Sequence, residues 1–91
     1  MLVVLDAGHG GHDPGAVGNG FTEKERALTL TKYVDAELKS RGIRTMLTRD
    51  NDTFVSLSGR ANIANRNKAT ILVSFHLNAA TPSAGGYESF T

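Results

Sequence analysis

The sequence contains no cysteine and no tryptophan, and only two prolines. The absence of cysteine excludes a disulfide scaffold, a thiolate zinc finger and a thiol nucleophile. It does not locate the protein, because cytosolic and exported chains alike do without it. No apolar run approaches the ~20 residues that a membrane-spanning helix needs. Neither sign of charge is in excess: ten Lys and Arg stand against nine Asp and Glu, for a net +1. The basic residues are scattered, so no nucleic-acid stripe or membrane-binding patch is expected. The opening Met1-Leu2-Val3-Val4-Leu5-Asp6 is too short for a signal peptide. It reads as a strand that begins at once, as in an excised domain or a processed enzyme.

What remains is an ordinary globular composition. Ninety-one residues, 40% of them hydrophobic, make one small domain and exclude wholesale disorder. A chain of this length buries roughly 60–65% of its unfolded surface, so the core is small.

The continuous apolar run Leu2 to Leu5 predicts a strand buried on both faces, as in a parallel sheet. Six of the ten glycines then fall between positions 8 and 20, which marks a long shaped loop. Thr22 and Glu25 form a capping box for a first helix. Ala27, Leu30, Val34 and Leu38 supply its buried stripe, and Arg41-Gly42 its basic last turn and left-handed stop. Ile43 to Thr48 predicts a second strand. A second helix is expected from Ser56 or Ser58 to Asn67, with Leu57, Ala61 and Ala64 inward. A third strand follows at Thr70 to Leu77 and a fourth begins at Gly86 to Phe90. The order predicts an α/β fold with an open, mainly parallel sheet and helices on both faces. Because the chain stops on a strand, the sheet is expected to be truncated at its C-terminal end, its open edge covered by a missing half or a partner chain.

Ligands of open parallel sheets bind outside the carboxyl ends of the strands. His9 lies just past the first strand and His76 at the end of the third, so both reach the same rim. Helix phase adds a third residue. At about 100° per residue from Glu23, Ala27 falls near 40°, Leu30 near −20°, Val34 near 20° and Leu38 near 60°. Glu23 is thus centred on the apolar face, whereas Glu25, about 200° away, faces solvent. A carboxylate on a buried stripe needs a partner. The helix N-terminus offsets part of the burial cost, and a divalent cation held with two imidazoles would offset the rest. Two His and one Glu form a donor set for catalytic zinc, with a fourth position left for water or substrate. Calcium and magnesium, which prefer oxygen ligands, fit less well.

Each residue has a plainer reading: His9 as an exposed loop histidine, Glu23 as a first-turn acid serving the helix dipole, His76 as a core histidine. One shared metal accounts for all three together. His12 has nothing that points it at the rim. Asp6, at the strand end, is a candidate acceptor for the second nitrogen of a ligand histidine, with loop capping as the competing reading. Arg49 and Arg60 are expected to organise the strand-end loops through carboxylate pairs. Asn78, two residues beyond His76, falls on the same side of the strand.

Several stretches resemble a known family in order and spacing. Val4-Leu5-Asp6-Ala7-Gly8-His9-Gly10-Gly11-His12-Asp13-Pro14-Gly15-Ala16, Gly20-Phe21-Thr22-Glu23-Lys24-Glu25, Leu47-Thr48-Arg49-Asp50, Ser74-Phe75-His76-Leu77-Asn78-Ala79 and Gly86-Tyr87-Glu88 closely resemble segments of the zinc-dependent N-acetylmuramoyl-L-alanine amidases of the type-3 amidase family. The resemblance implies that His9, Glu23 and His76 are zinc ligands, and that residues 1–91 are part of an amidase catalytic domain. It implies peptidoglycan as substrate, cleaved at the amide between muramic acid and the L-alanine of the stem peptide. It also implies action at the cell wall, outside the cell or delivered by a phage. The family's general base is a Glu on a later strand, expected beyond Thr91, and Glu88 is read as structural or substrate-facing.

Two other readings stand beside this one. A catalytically silent cell-wall-binding module of the same fold would follow from a missing base. A nucleotide-binding domain would explain the Gly-rich loop, but neither Gly-x-Gly-x-x-Gly nor Gly-Lys-Ser/Thr is present: with Gly8 and Gly10 as the first two glycines, position 13 is Asp.

Overall fold

A computed structural model describes residues 1–18 and 20–76. Its central layer is a parallel three-stranded sheet in the order β4-β1-β5, formed by β1 (Leu2–Ala7), β4 (Arg44–Leu47) and β5 (Ile71–Phe75). Two short strands, β2 (Val17–Gly18) and β3 (Phe21–Thr22), pair antiparallel ahead of the first helix. Helix α1 spans Glu23–Ser40 and α2 spans Leu57–Arg66. The first strand is central, so every residue of β1 is buried, which is why the run Leu2 to Leu5 is apolar without alternation.

Alternate β1 residues serve two cores. Val3 and Leu5 pack with Phe75, Val73, Leu47, Ile43 and the α1 residues Leu30, Val34 and Leu38. Leu2 and Val4 face the other way, towards Ala64 and Ile63 of α2 together with Met46, Ala69 and Leu72. Helices therefore cover both faces of an open parallel sheet, as the order of elements predicts. From β1 the chain runs to β4 on one side and from there to β5 on the other. The order reverses at β1, and the crevice at the carboxyl ends beside such a reversal is where ligands of these folds bind.

Local chemistry sets the helix ends. The Thr22 hydroxyl accepts from the Glu25 N–H at 3.4 Å and donates to the Glu25 carboxylate at 3.0 Å. At the other end Gly42, at φ 78°, donates to the Lys39 carbonyl and Ile43 donates to the Leu38 carbonyl. That is a Schellman closure, and Leu38 and Ile43 belong to the same apolar cluster. Ser56, rather than Ser58, caps α2 through the Gly59 N–H at 3.0 Å.

The inward face of α2 differs from expectation. Ala64 is buried, but Leu57 is 82% exposed and Ala61 is also exposed. The centre of the inward stripe is Arg60, 5% exposed. Relative to Arg60, Ala64 lies at about 40° and Ile63 at about −60°, while Leu57 at about 60° and Ala61 at about 100° fall on the flank. The third strand ends at Phe75. Leu77, Asn78, Glu88 and the expected fourth strand lie outside the described residues. Among the described residues, no helix is long and apolar enough to cross a membrane.

Candidate metal centre

The register of the sheet assembles the site. Ala7 pairs with Phe75, and the Gly8 N–H donates to the Phe75 carbonyl at 3.0 Å. One step further sets Gly8 beside His76. A side chain there would collide with the ring: a Cβ on Gly8 would lie 2.6 Å from Nδ1 and 2.9 Å from Nε2 of His76. Gly8 is the floor on which the imidazole rests.

After Gly8 the chain turns sharply. His9 has φ 65°, followed by Gly10 at 126° and Gly11 at 57°. A positive φ is uncommon for a residue with a side chain and is found where the surroundings over-determine it, often at functional sites. Here Gly10 and Asp13 exchange both backbone hydrogen bonds, at 2.8 and 2.9 Å. The loop returns at once, and Asp13 meets the side chain of His9. The Asp13 carboxylate lies 2.9 Å from His9 Nδ1 and also accepts from the Gly15 N–H at 3.2 Å. The hydrogen bond with His9 holds the Asp13 carboxyl below its usual range. A carboxylate at Nδ1 fixes the proton on that nitrogen and leaves the Nε2 lone pair directed at the site.

Glu23 enters from the first turn of α1. It is 8% exposed, and its Oε1 accepts from the Ala16 N–H at 3.0 Å. Its Oε2 lies 2.9 Å from His9 Nε2 and 3.6 Å from His76 Nδ1. The loop from Pro14 to Ala16 is itself bonded to the helix start, through Glu23 N–H to the Ala16 carbonyl and Lys24 N–H to the Pro14 carbonyl. Gly15, at φ 69°, allows this approach, since a Cβ there would lie 2.7 Å from both Glu23 Oε1 and His9 Cδ2.

His9, Glu23 and His76 thus converge, with one ligand atom from each lying within 4.8 Å of the others. The two rings meet edge to face, centroids 5.1 Å apart and planes at 84°. The imidazole side chains are 22% and 35% exposed, so the cluster opens to solvent above a buried carboxylate. A lone pair on Nε2 facing a carboxylate oxygen needs a proton or a cation between them. The donor set, two imidazoles and one carboxylate with an open side, suits a catalytic divalent cation.

Beneath the site lies a polar network that the sequence reading casts differently. Asp6 is 2% exposed and reaches no histidine. Its Oδ1 accepts from Thr48 Oγ1 and from Arg60 Nη1, each at 2.6 Å, and its Oδ2 accepts from Ser74 Oγ at 2.8 Å. The acceptor for His9 is Asp13, four residues on across the glycine turn. Arg60 does form a carboxylate pair, with Asp6, but it also donates to the carbonyls of Val55, Ala7 and His9. Among the described residues, Arg49 donates to four carbonyls and to no carboxylate: Ala7, Gly8, Lys24 and Asn51. Burial, and then the neighbouring Arg60 charge, lower its pKa from the ordinary value.

At the loop tip Lys24 bonds the Gly11 carbonyl and Asp52, each at 2.9 Å, and Asp52 accepts from the Gly11 N–H at 2.7 Å. The Lys24 hydrogen bond holds the Asp52 carboxyl below its usual range. His12 stays out of the cluster. It is exposed, with its ring against Phe54 at a centroid distance of 4.5 Å.

Two strand ends and the first turn of α1 thus bring two imidazoles and a carboxylate together, a group that could hold a metal ion. The sequence profile of the N-acetylmuramoyl-L-alanine amidases matches residues 3–91. The chain is 49% identical over 90 residues to the endolysin of Bacillus phage SPP1, covering 98% of this chain and 33% of the endolysin. To the N-acetylmuramoyl-L-alanine amidase AmiA of Escherichia coli it is 44% identical over 91 residues, covering 98% of this chain and 32% of AmiA. Among solved structures, the amidase AmiC2 of Nostoc punctiforme superposes with a TM-score of 0.82 at 51% identity, over 86% of this chain and 44% of that one. The chain belongs to the N-acetylmuramoyl-L-alanine amidase family. It spans about a third of the length of these two curated relatives.

Proposed function

We propose that His9, Glu23 and His76 hold a zinc ion, and that the protein hydrolyses the amide between N-acetylmuramic acid and L-alanine in peptidoglycan. On this reading residues 1–91 carry the metal-binding part of the catalytic domain, and the protein acts at the cell wall. The observation that carries it is the convergence of the three ligand atoms within 4.8 Å in a chain of this family.

The residues divide the work. Asp13 orients His9 and keeps its Nε2 free to coordinate. Ala16 holds one oxygen of Glu23 and leaves the other facing both rings. The Gly8 floor seats His76. Zinc, when bound, would polarise the scissile carbonyl and make water a better nucleophile near neutral pH. The buried side of the cluster, closed by Gly15 and Glu23, directs attack from the open side.

Elemental analysis is expected to find one zinc per chain in the purified protein. His9→Ala, Glu23→Ala and His76→Ala are each expected to lose it, and in the full-length protein to lose release of amino groups from peptidoglycan as well. Unchanged zinc in the Glu23 variant would return that residue to a helix-dipole role. Residues 1–91 alone, without the base that the resemblance places on a later strand, are expected to bind zinc with little amine release, whereas zinc binding without amine release in the full-length protein would favour a wall-binding module.

A further inference from the structure

The two buried arginines touch the segments that carry the proposed ligands. At the exit of β1, the carbonyls of Ala7, Gly8 and His9 all accept from guanidinium groups. Arg49 Nε reaches Ala7 at 3.0 Å, Arg49 Nη2 reaches Gly8 at 2.8 Å, and Arg60 Nη2 reaches His9 at 2.9 Å. Among the described residues the ladder to β5 has its last rung at Gly8, and these guanidinium donors hold the carbonyls at and around it. They hold the chain where His9 adopts its positive φ.

Arg49 does one thing more. The same Nη2 that holds Gly8 also donates to the carbonyl of Lys24 at 3.1 Å, in the first turn of α1 next to Glu23. One nitrogen thus spans the segment that carries His9 and the segment that carries Glu23. Its Nη1 is anchored on the Asn51 carbonyl at 2.8 Å. Among the described residues no side-chain carboxylate takes any of these bonds, and each partner is a backbone carbonyl. A lysine could not keep all four carbonyls, because its three donors radiate from one nitrogen, whereas the guanidinium sets Nε, Nη1 and Nη2 at three fixed points.

We propose that Arg49 is a positioning residue for the metal centre: its guanidinium fixes the spacing between His9 and Glu23 by holding carbonyls on both of their segments. The inference rests on the ligand assignment made above and is independent of what the centre hydrolyses.

The test measures zinc affinity by competition with a chromophoric chelator, and the visible spectrum of the cobalt-substituted protein. Both are read at a temperature where circular dichroism shows the variant fully folded. Arg49→Lys is expected to weaken zinc binding by about tenfold or more, the range for lost partners that orient metal ligands, and to alter the cobalt spectrum. Arg49→Gln, which buries no charge, is expected to do the same and replaces the lysine variant if that one does not fold. Wild-type affinity and spectrum in either folded variant would overturn the proposal and leave Arg49 a purely structural role. His9→Ala serves as the control. If it binds zinc as wild type does, the ligand assignment itself fails, whatever Arg49 does.

Discussion

Asp6→Ala is expected to cost about 3–5 kcal/mol of stability, the range for breaking a buried ion pair from one side. Asp6 and Arg60 are 2% and 5% exposed and 2.6 Å apart. Removing the carboxylate strands the guanidinium charge and leaves the Thr48 and Ser74 hydroxyls without their acceptor. Small domains have only about 5–15 kcal/mol in total, and in one of this size each kcal/mol shifts the melting temperature by roughly 4–8 °C. A drop of about 15 °C or more is therefore expected in a thermal melt. Asp6→Asn keeps the shape and an acceptor oxygen for Thr48 and Arg60, while its Nδ2 can donate to the Ser74 hydroxyl, so it is expected to cost less. An alanine variant that melts within a few degrees of wild type would show that the network contributes little.

Gly8→Ala is expected to have the opposite profile, with the fold retained and metal binding lost. The added methyl would lie 2.6 Å from His76 Nδ1. The obstacle is the ring of a side chain that is 35% exposed, so the imidazole swings into solvent while the strands stay paired. Alanine also lowers the chain's unfolded entropy at a position without positive φ. Zinc affinity is expected to fall on the order of a hundredfold or more, beyond the effect of disturbing an outer partner, with the melting temperature of the metal-free protein nearly unchanged. Titration with a zinc-competing chelator beside a thermal melt reads both quantities. Wild-type affinity would mean that His76 is not a ligand.

These two residues also mark how far the sequence alone can be read. The apolar run of β1 announces a central strand, because burial on both faces removes polar residues from it. His9 and His76 are legible as rim residues because strand ends can be placed from composition. Glu23 is legible because a charge at the centre of an apolar helical stripe breaks the pattern. Arg60 breaks the pattern of α2 in the same way, but Leu57 and Ala61 offer a plausible apolar stripe that hides it. The long arginine side chain reaches past the helix to the strand ends, and apolar periodicity carries no trace of that. Asp13 is missed for a different reason. Its pairing with His9 depends on three consecutive positive φ values at residues 9–11, and no periodicity describes such a turn. The signal available is the dense glycine on either side of His9. The β2–β3 pair, two residues to a strand, is too short for any alternation to register.

Crystals of the protein grown with zinc, measured on both sides of the zinc absorption edge, test the central claim most directly. The account predicts one anomalous peak per chain in bonding contact with His9 Nε2, a Glu23 carboxylate oxygen and His76, at the roughly 2.0–2.2 Å usual for zinc with nitrogen and oxygen ligands. A peak that leaves out any of the three side chains, or a bound zinc elsewhere with this cluster closed on itself, would contradict it.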